Sequence, residues 1–145
     1  MRGRSLALAT LALLAACAHD PMRGLTPISG TTPITGDFDG DGRADSTGLF
    51  EDEGGHLLVV VQRAASRQPL QIWGGDISSL PAYEIHVAPP GHYVTACELY
   101  GPGCSGAPLE VTLTHEGVIV RQIEPRSDLL YYWDHGAFEN IIVRE

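Results

Sequence analysis

Within the ten residues Gly36-Asp37-Phe38-Asp39-Gly40-Asp41-Gly42-Arg43-Ala44-Asp45, four carboxylates sit at odd-numbered positions around Gly40 and Gly42. Held on one tight turn, four carboxylates repel, each raising the others' affinity for protons, unless a cation lies among them. The spacing is that of a calcium turn. Asp37, Asp39, Asp41 and Asp45 fall at ligand positions 1, 3, 5 and 9, and the Arg43 carbonyl falls at position 7, where the backbone supplies an oxygen. Gly42 occupies position 6, where a sharp turn favours a residue without a Cβ. Magnesium fits less well, because it prefers fewer carboxylates and keeps more of its water. A glycosidase acid and base pair is excluded on geometry, since such carboxylates face each other across a substrate from separate elements.

The same stretch constrains the fold that carries it. An EF-hand needs a bidentate glutamate at a position that here is Gly48. Thr31-Thr32-Pro33-Ile34-Thr35 is poor helix sequence, while Thr47 to Phe50 and Leu57 to Val61 are rich in strand formers. The loop is therefore expected to join strands. On these residues the chain resembles the FG-GAP and VCBS-type repeats of bacterial envelope proteins, whose loops have the form G-D-F-D-G-D-G-x-x-D followed by an apolar strand. The tail Asp128-Leu129-Leu130-Tyr131-Tyr132-Trp133-Asp134-His135-Gly136-Ala137-Phe138 is similar to the closing hairpin of small single-loop members. The resemblance implies a structural calcium site in a β fold. With one loop only, it does not imply a complete propeller.

Arg2 and Arg4 precede an apolar run from Leu6 to Ala16 that is too short to span a membrane and has the layout of a secretory signal. The run ends Leu14-Ala15-Ala16-Cys17, which resembles the lipobox of bacterial lipoproteins. That resemblance implies lipidation of Cys17, and the absence of aspartate after it leans toward the outer membrane. An ordinary cleavable signal ending near Ala16 or Ala18 is the alternative. The expected organisation is a signal in residues 1–16, a lipidated Cys17 with a flexible tether in residues 17–35, and one β domain in residues 36–145.

With Cys17 taken by lipid, Cys97 and Cys104 remain as a pair in an oxidising compartment. The turn-rich Glu98-Leu99-Tyr100-Gly101-Pro102-Gly103 between them allows a local disulfide. A zinc site is the alternative, but six intervening residues do not match the close cysteine pairs of such sites.

After removal of residues 1–16, 129 residues remain, enough for one domain with its own core. Seven arginines against eighteen acids then give a net charge of about −11 with histidines neutral. Such a balance opposes binding to nucleic acid and to anionic lipid heads, leaving membrane attachment to the acyl chains. The chain has no lysine, which removes Schiff-base, phosphate-loop and serine-lysine chemistry.

Seventeen glycines and ten prolines between short β-branched runs point to an all-β body: a small antiparallel β domain, sandwich or partial-propeller-like, with one strand-flanked calcium loop. Leu57 to Val61, apolar throughout, reads as a central strand buried on both faces. Further strands are expected at Pro69 to Trp73, Tyr83 to Ala88 and His92 to Ala96. Leu109 to Thr114 with Val118 to Ile123 reads as one hairpin, and Leu129 to Trp133 with Phe138 to Val143 as another, turned at Gly136. Asp76 is a candidate cap for a short turn before Pro81.

His56, His86, His92, His115 and His135 are scattered without ligand spacing and read as surface or structural residues. Ser105 lacks the Gly-x-Ser-x-Gly setting of a nucleophile turn. Trp73, Tyr83, Tyr131, Tyr132 and Trp133 read as core or edge packing, with a sugar- or peptide-binding face as the alternative. The expected function is that of a calcium-binding lipoprotein on the periplasmic face of the outer membrane, a non-enzymatic binding or adaptor module for protein or glycan. The alternatives are a purely structural envelope component and a hydrolase with unrecognised residues.

Overall fold

The computed structural model describes residues 22–66, 68–96 and 108–143. Eleven strands follow in order: β1 (Leu25–Pro27), β2 (Ile34–Gly36), β3 (Asp45–Asp52), β4 (His56–Gln62), β5 (Leu70–Asp76), β6 (Tyr83–Ala88), β7 (Gly91–Val94), β8 (Glu110–Leu113), β9 (Gly117–Gln122), β10 (Ser127–Asp134) and β11 (Ala137–Val143). A 3₁₀ turn, Ile77–Ala82, separates β5 from β6, and Asp76 caps it by accepting a hydrogen bond from the Ser78 N–H at 2.8 Å. Every named strand pairing is antiparallel. The expected small all-β domain is what the chain forms, and among the described residues the sheets are open, with no closed barrel.

One sheet runs β1-β3-β4-β5, with β2 also paired to β3. A second runs β11-β10-β9-β6. Between them lies the main core, where Leu49, Leu57, Val59 and Val61 of the first sheet meet Val118, Val120 and Tyr131 of the second. The continuous apolar run of β4 has the explanation its sequence suggests. Leu57, Val59 and Val61 point into this core, while Leu58 and Val60 join Phe50 on the opposite face, under Met22 and Leu25. The outer face of the second sheet is covered in turn. Ala88, Leu130, Ile141 and Val143 pack there with Leu113, Tyr93 and Val111 of the β7–β8 ribbon.

The predicted β10–β11 hairpin forms, turning on His135 and Gly136. Both have positive φ, 45° and 90°, the conformation a two-residue turn needs to match strand twist. The predicted pairing of Leu109 to Thr114 with Val118 to Ile123 does not form. β8 pairs with β7, whereas β9 pairs with β6 and β10. The reason is a longer, bent hairpin in which β6 and β7 run against β9 and β8. At its corner Pro89 and Pro90 face three residues, Thr114, His115 and Glu116, so the latter side carries one residue too many and bulges.

The segment read as a tether carries β1 and β2, both hydrogen-bonded to β3, so the folded body includes residues from Met22 onward. The signal segment, Cys17 and the Cys97–Cys104 pair lie outside the described residues.

Candidate metal centre

The aspartate run is the connection between β2 and β3, two strands that pair with each other, so both ends of the loop are fixed by one ladder. Phe38 anchors its middle. The side chain is fully buried in the main core, which turns the flanking Asp37 and Asp39 to the other side of the chain. Asp45 closes the loop from within. Its Oδ2 accepts the Phe38 N–H at 3.0 Å, and its Oδ1 accepts the Ala64 N–H at 2.7 Å. Asp45 is only 2% exposed, and burial pushes its carboxyl above the ordinary value. The Asp39 charge pushes the same way, while the Ala64 and Phe38 N–H groups oppose the rise.

Asp37, Asp39 and Asp45 each present an oxygen within 4.8 Å of the others, an arrangement that could hold a metal ion. Asp41 is not in this group. Its Oδ1 accepts the Arg43 N–H at 2.8 Å, and its own N–H donates to Asp39 Oδ1 at 3.2 Å. Arg43 thus contributes an exposed backbone donor to the turn. Asp37 Oδ2 accepts the Gly42 N–H at 3.0 Å, but Asp37 Oδ1 is buried without a hydrogen-bond partner. A buried carboxylate oxygen left this way is costly, and a cation coordinated there would remove the cost. The donors are all hard oxygens, which suits an alkaline-earth ion better than a soft metal.

Two residues of the site carry no signal in the local sequence. Glu116, on the bulge, accepts the Asp37 N–H through Oε2 at 2.7 Å. Arg63 places Nη1 3.6 Å from Asp39 Oδ2, with its guanidinium 4.7 Å from the centre of the Trp133 ring, and its buried Nε has no partner. Trp133 is fixed on another side by Phe138, edge-on at 5.1 Å. The bulge meets the loop a second time at Gly40, where an added Cβ would lie 2.7 Å from His115 Cδ2.

The remaining predicted residues are dispersed. His56 pairs with Asp52, His86 with Glu84, His92 with Glu110 and His135 with Asp134, all at exposed or half-buried positions. Among the described residues no serine, threonine or cysteine bonds the rings of His56 or His135, whereas His92 also contacts Thr112 Oγ1 at 3.2 Å. Trp73 and Tyr83 stack at 4.6 Å and pack against the main core, as predicted for core packing. Among the described residues no helix is long and apolar enough to cross a membrane. No family model, curated protein or solved structure matches this chain.

Proposed function

We propose that this chain is a calcium-binding, lipid-anchored module of the cell envelope, akin to FG-GAP and VCBS-type repeats. In this reading its body is non-enzymatic and serves as a binding or adaptor unit for a protein or glycan at the periplasmic face of the outer membrane. The observation that carries the cation is the convergence of Asp37, Asp39 and Asp45 within 4.8 Å, together with a buried Asp37 Oδ1 that has no hydrogen-bond partner. Asp37, Asp39 and Asp45 would hold the ion through side chains, with the Arg43 carbonyl and Asp41 as further candidates. Its role is structural. The ion would offset the cost that burial and the Asp39 charge impose on ionised Asp45, the residue that ties the loop to Ala64 just beyond β4.

An enzymatic reading has one observation in its favour, His92 standing between Glu110 Oε2 at 3.0 Å and Thr112 Oγ1 at 3.2 Å. His92 and Glu110 are more than half exposed on an open two-stranded ribbon, a setting that does not exclude water. The test of the cation reading is calorimetric titration of metal-stripped protein with calcium and with magnesium. Saturable, calcium-preferring binding that Asp37→Asn and Asp39→Asn abolish supports it. No heat at millimolar calcium would reduce the aspartate run to a solvated turn.

A further inference from the structure

Where the bent hairpin turns its corner, β8 parts from β10 and leaves an open groove of about 410 Å³. One wall is β8 from Glu110 to Leu113, and the other is Tyr132, Trp133 and Asp134. Among the described residues β8 is hydrogen-bonded to β7 alone, and β10 is paired with β9 only as far as Tyr131 opposite Val118. Among the described residues both walls are therefore strand edges with backbone groups that no neighbouring strand satisfies. Such edges pair readily with another extended chain.

The groove is acidic. Glu110 and Asp134 line it, and among its described lining residues there is no arginine, Arg63 lying against the Trp133 ring. Glu139 stands opposite Tyr132 on β11, and the Tyr132 phenol is pushed up by burial, then by Asp134 and Glu139, which marks a negative field at this wall. The whole chain carries −9, so two copies meeting edge to edge would repel, whereas a basic segment is drawn in. The wall also offers fixed apolar surface. Trp133 is held by the Arg63 guanidinium over its ring and by Phe138 edge-on, and Val111 and Leu113 line the facing wall.

We infer that this groove takes an extended segment of a partner protein, with lysine or arginine alternating with apolar residues, which adds as a strand to the open edge of β8 between Glu110 and Trp133. Backbone pairing supplies the affinity in this mode, and alternate side chains supply the choice of partner. The inference names the partner for the binding role proposed above and rests on that reading.

The experiment titrates the full-length chain, in low salt, with the capped peptide Lys-Val-Lys-Val-Lys-Val-Lys, following heat and tryptophan emission. Three comparisons accompany it: a Glu-Val peptide of equal length, the Lys-Val peptide N-methylated at alternate residues, and the exposed double variant Glu110→Lys/Asp134→Lys. Saturable micromolar binding is expected, at least tenfold weaker in each comparison, with the variant keeping the melting temperature of the parent. Absence of saturable binding overturns the inference, as it would if the groove were already filled by the chain itself. Equal binding of the N-methylated peptide overturns strand addition, and equal binding by the double variant overturns the site. Calcium titration of the same samples reads the cation loop separately, so its failure is distinguishable from failure of the groove.

Discussion

The guanidinium of Arg63 lies over the ring of Trp133 while its Nη1 sits 3.6 Å from Asp39, so one side chain touches both the aspartate loop and the groove wall. Arg63 is thus a resident cation beside the three carboxylates that could hold a metal ion. A divalent ion bound by Asp39 competes with it. With Arg63 partly exposed and Asp39 nearly buried, a single pair at this separation is worth about 0.5–1 kcal/mol. Arg63→Gln is expected to raise calcium affinity by a factor of about two to five, since 1.4 kcal/mol corresponds to tenfold. In a Trp73→Phe background, Trp133 emission is expected to shift on adding calcium to the parent and much less in Arg63→Gln. Identical affinities and an unresponsive emission would refute the competition.

Calcium should stabilise the fold in proportion to its binding. At a free concentration a hundred times the dissociation constant the gain is about 2.7 kcal/mol, provided the unfolded chain does not bind. Thermal melts with and without calcium should therefore separate in the parent and converge in Asp37→Asn and Asp39→Asn. Asp41→Asn, outside the three-carboxylate group, is expected to keep most of the separation. Convergence in Asp41→Asn alone would assign the ion to a different ligand set.

Gly40 and Gly42 offer a comparison within one loop. Both have positive φ, 73° and 82°, but an added Cβ at Gly42 meets open space, whereas at Gly40 it lies 2.7 Å from His115. Gly42→Ala should cost about 1–2 kcal/mol, the backbone penalty alone. Gly40→Ala should cost more, since His115 must move and the loop separates from the bulge. Urea unfolding of the two variants reads the difference, and equal costs would mean that the His115 contact carries no energy.

Acid stability should report on Asp128 and Arg121. Asp128 is buried and accepts two hydrogen bonds from Arg121, Nε to Oδ1 at 2.8 Å and Nη2 to Oδ2 at 2.6 Å. This contact holds its carboxyl below the ordinary value of 3.8 despite burial. A carboxylate with a lowered folded-state pKa contributes stability that is present above its unfolded value and lost as the pH falls through the folded one. Asp128→Asn is expected to lose about 2–3 kcal/mol at neutral pH. It should also show a shallower loss of stability below about pH 4. A parallel acid profile for parent and variant would exclude the pair as a source of pH dependence.

Local pattern carried much of this architecture. Five consecutive apolar residues from Leu57 to Val61 announce a strand covered on both faces, and His135-Gly136 between two apolar runs announces a tight hairpin. The aspartates announce a turn, and the short intervals between them bring Asp37 and Asp39 close together. What the pattern hides is partnership at long range. Leu109 to Thr114 and Val118 to Ile123 look like mutual partners, and only the continuous run of β6 into β7 on the other side of the corner decides otherwise. Glu116 reaches Asp37 across 79 positions of chain, and Arg63 is unremarkable in sequence until Trp133 is beside it. The residues before Gly36 look like linker because three-residue strands have too little periodicity to be seen. Pairing with β3 is what defines them.

The unmatched residue among Thr114, His115 and Glu116 also keeps the phase of the ribbon beyond it. Downstream of that corner β9 sets Val118 and Val120 inward, and upstream of it β8 must turn Val111 and Leu113 onto Ala88, Leu130 and Ile141. Side chains alternate with a period of two, so removing that single residue would advance β8 by half a repeat and offer Glu110 and Thr112 to the apolar surface instead. The corner is thus a parity device, one amino acid that fixes which half of a strand is wet.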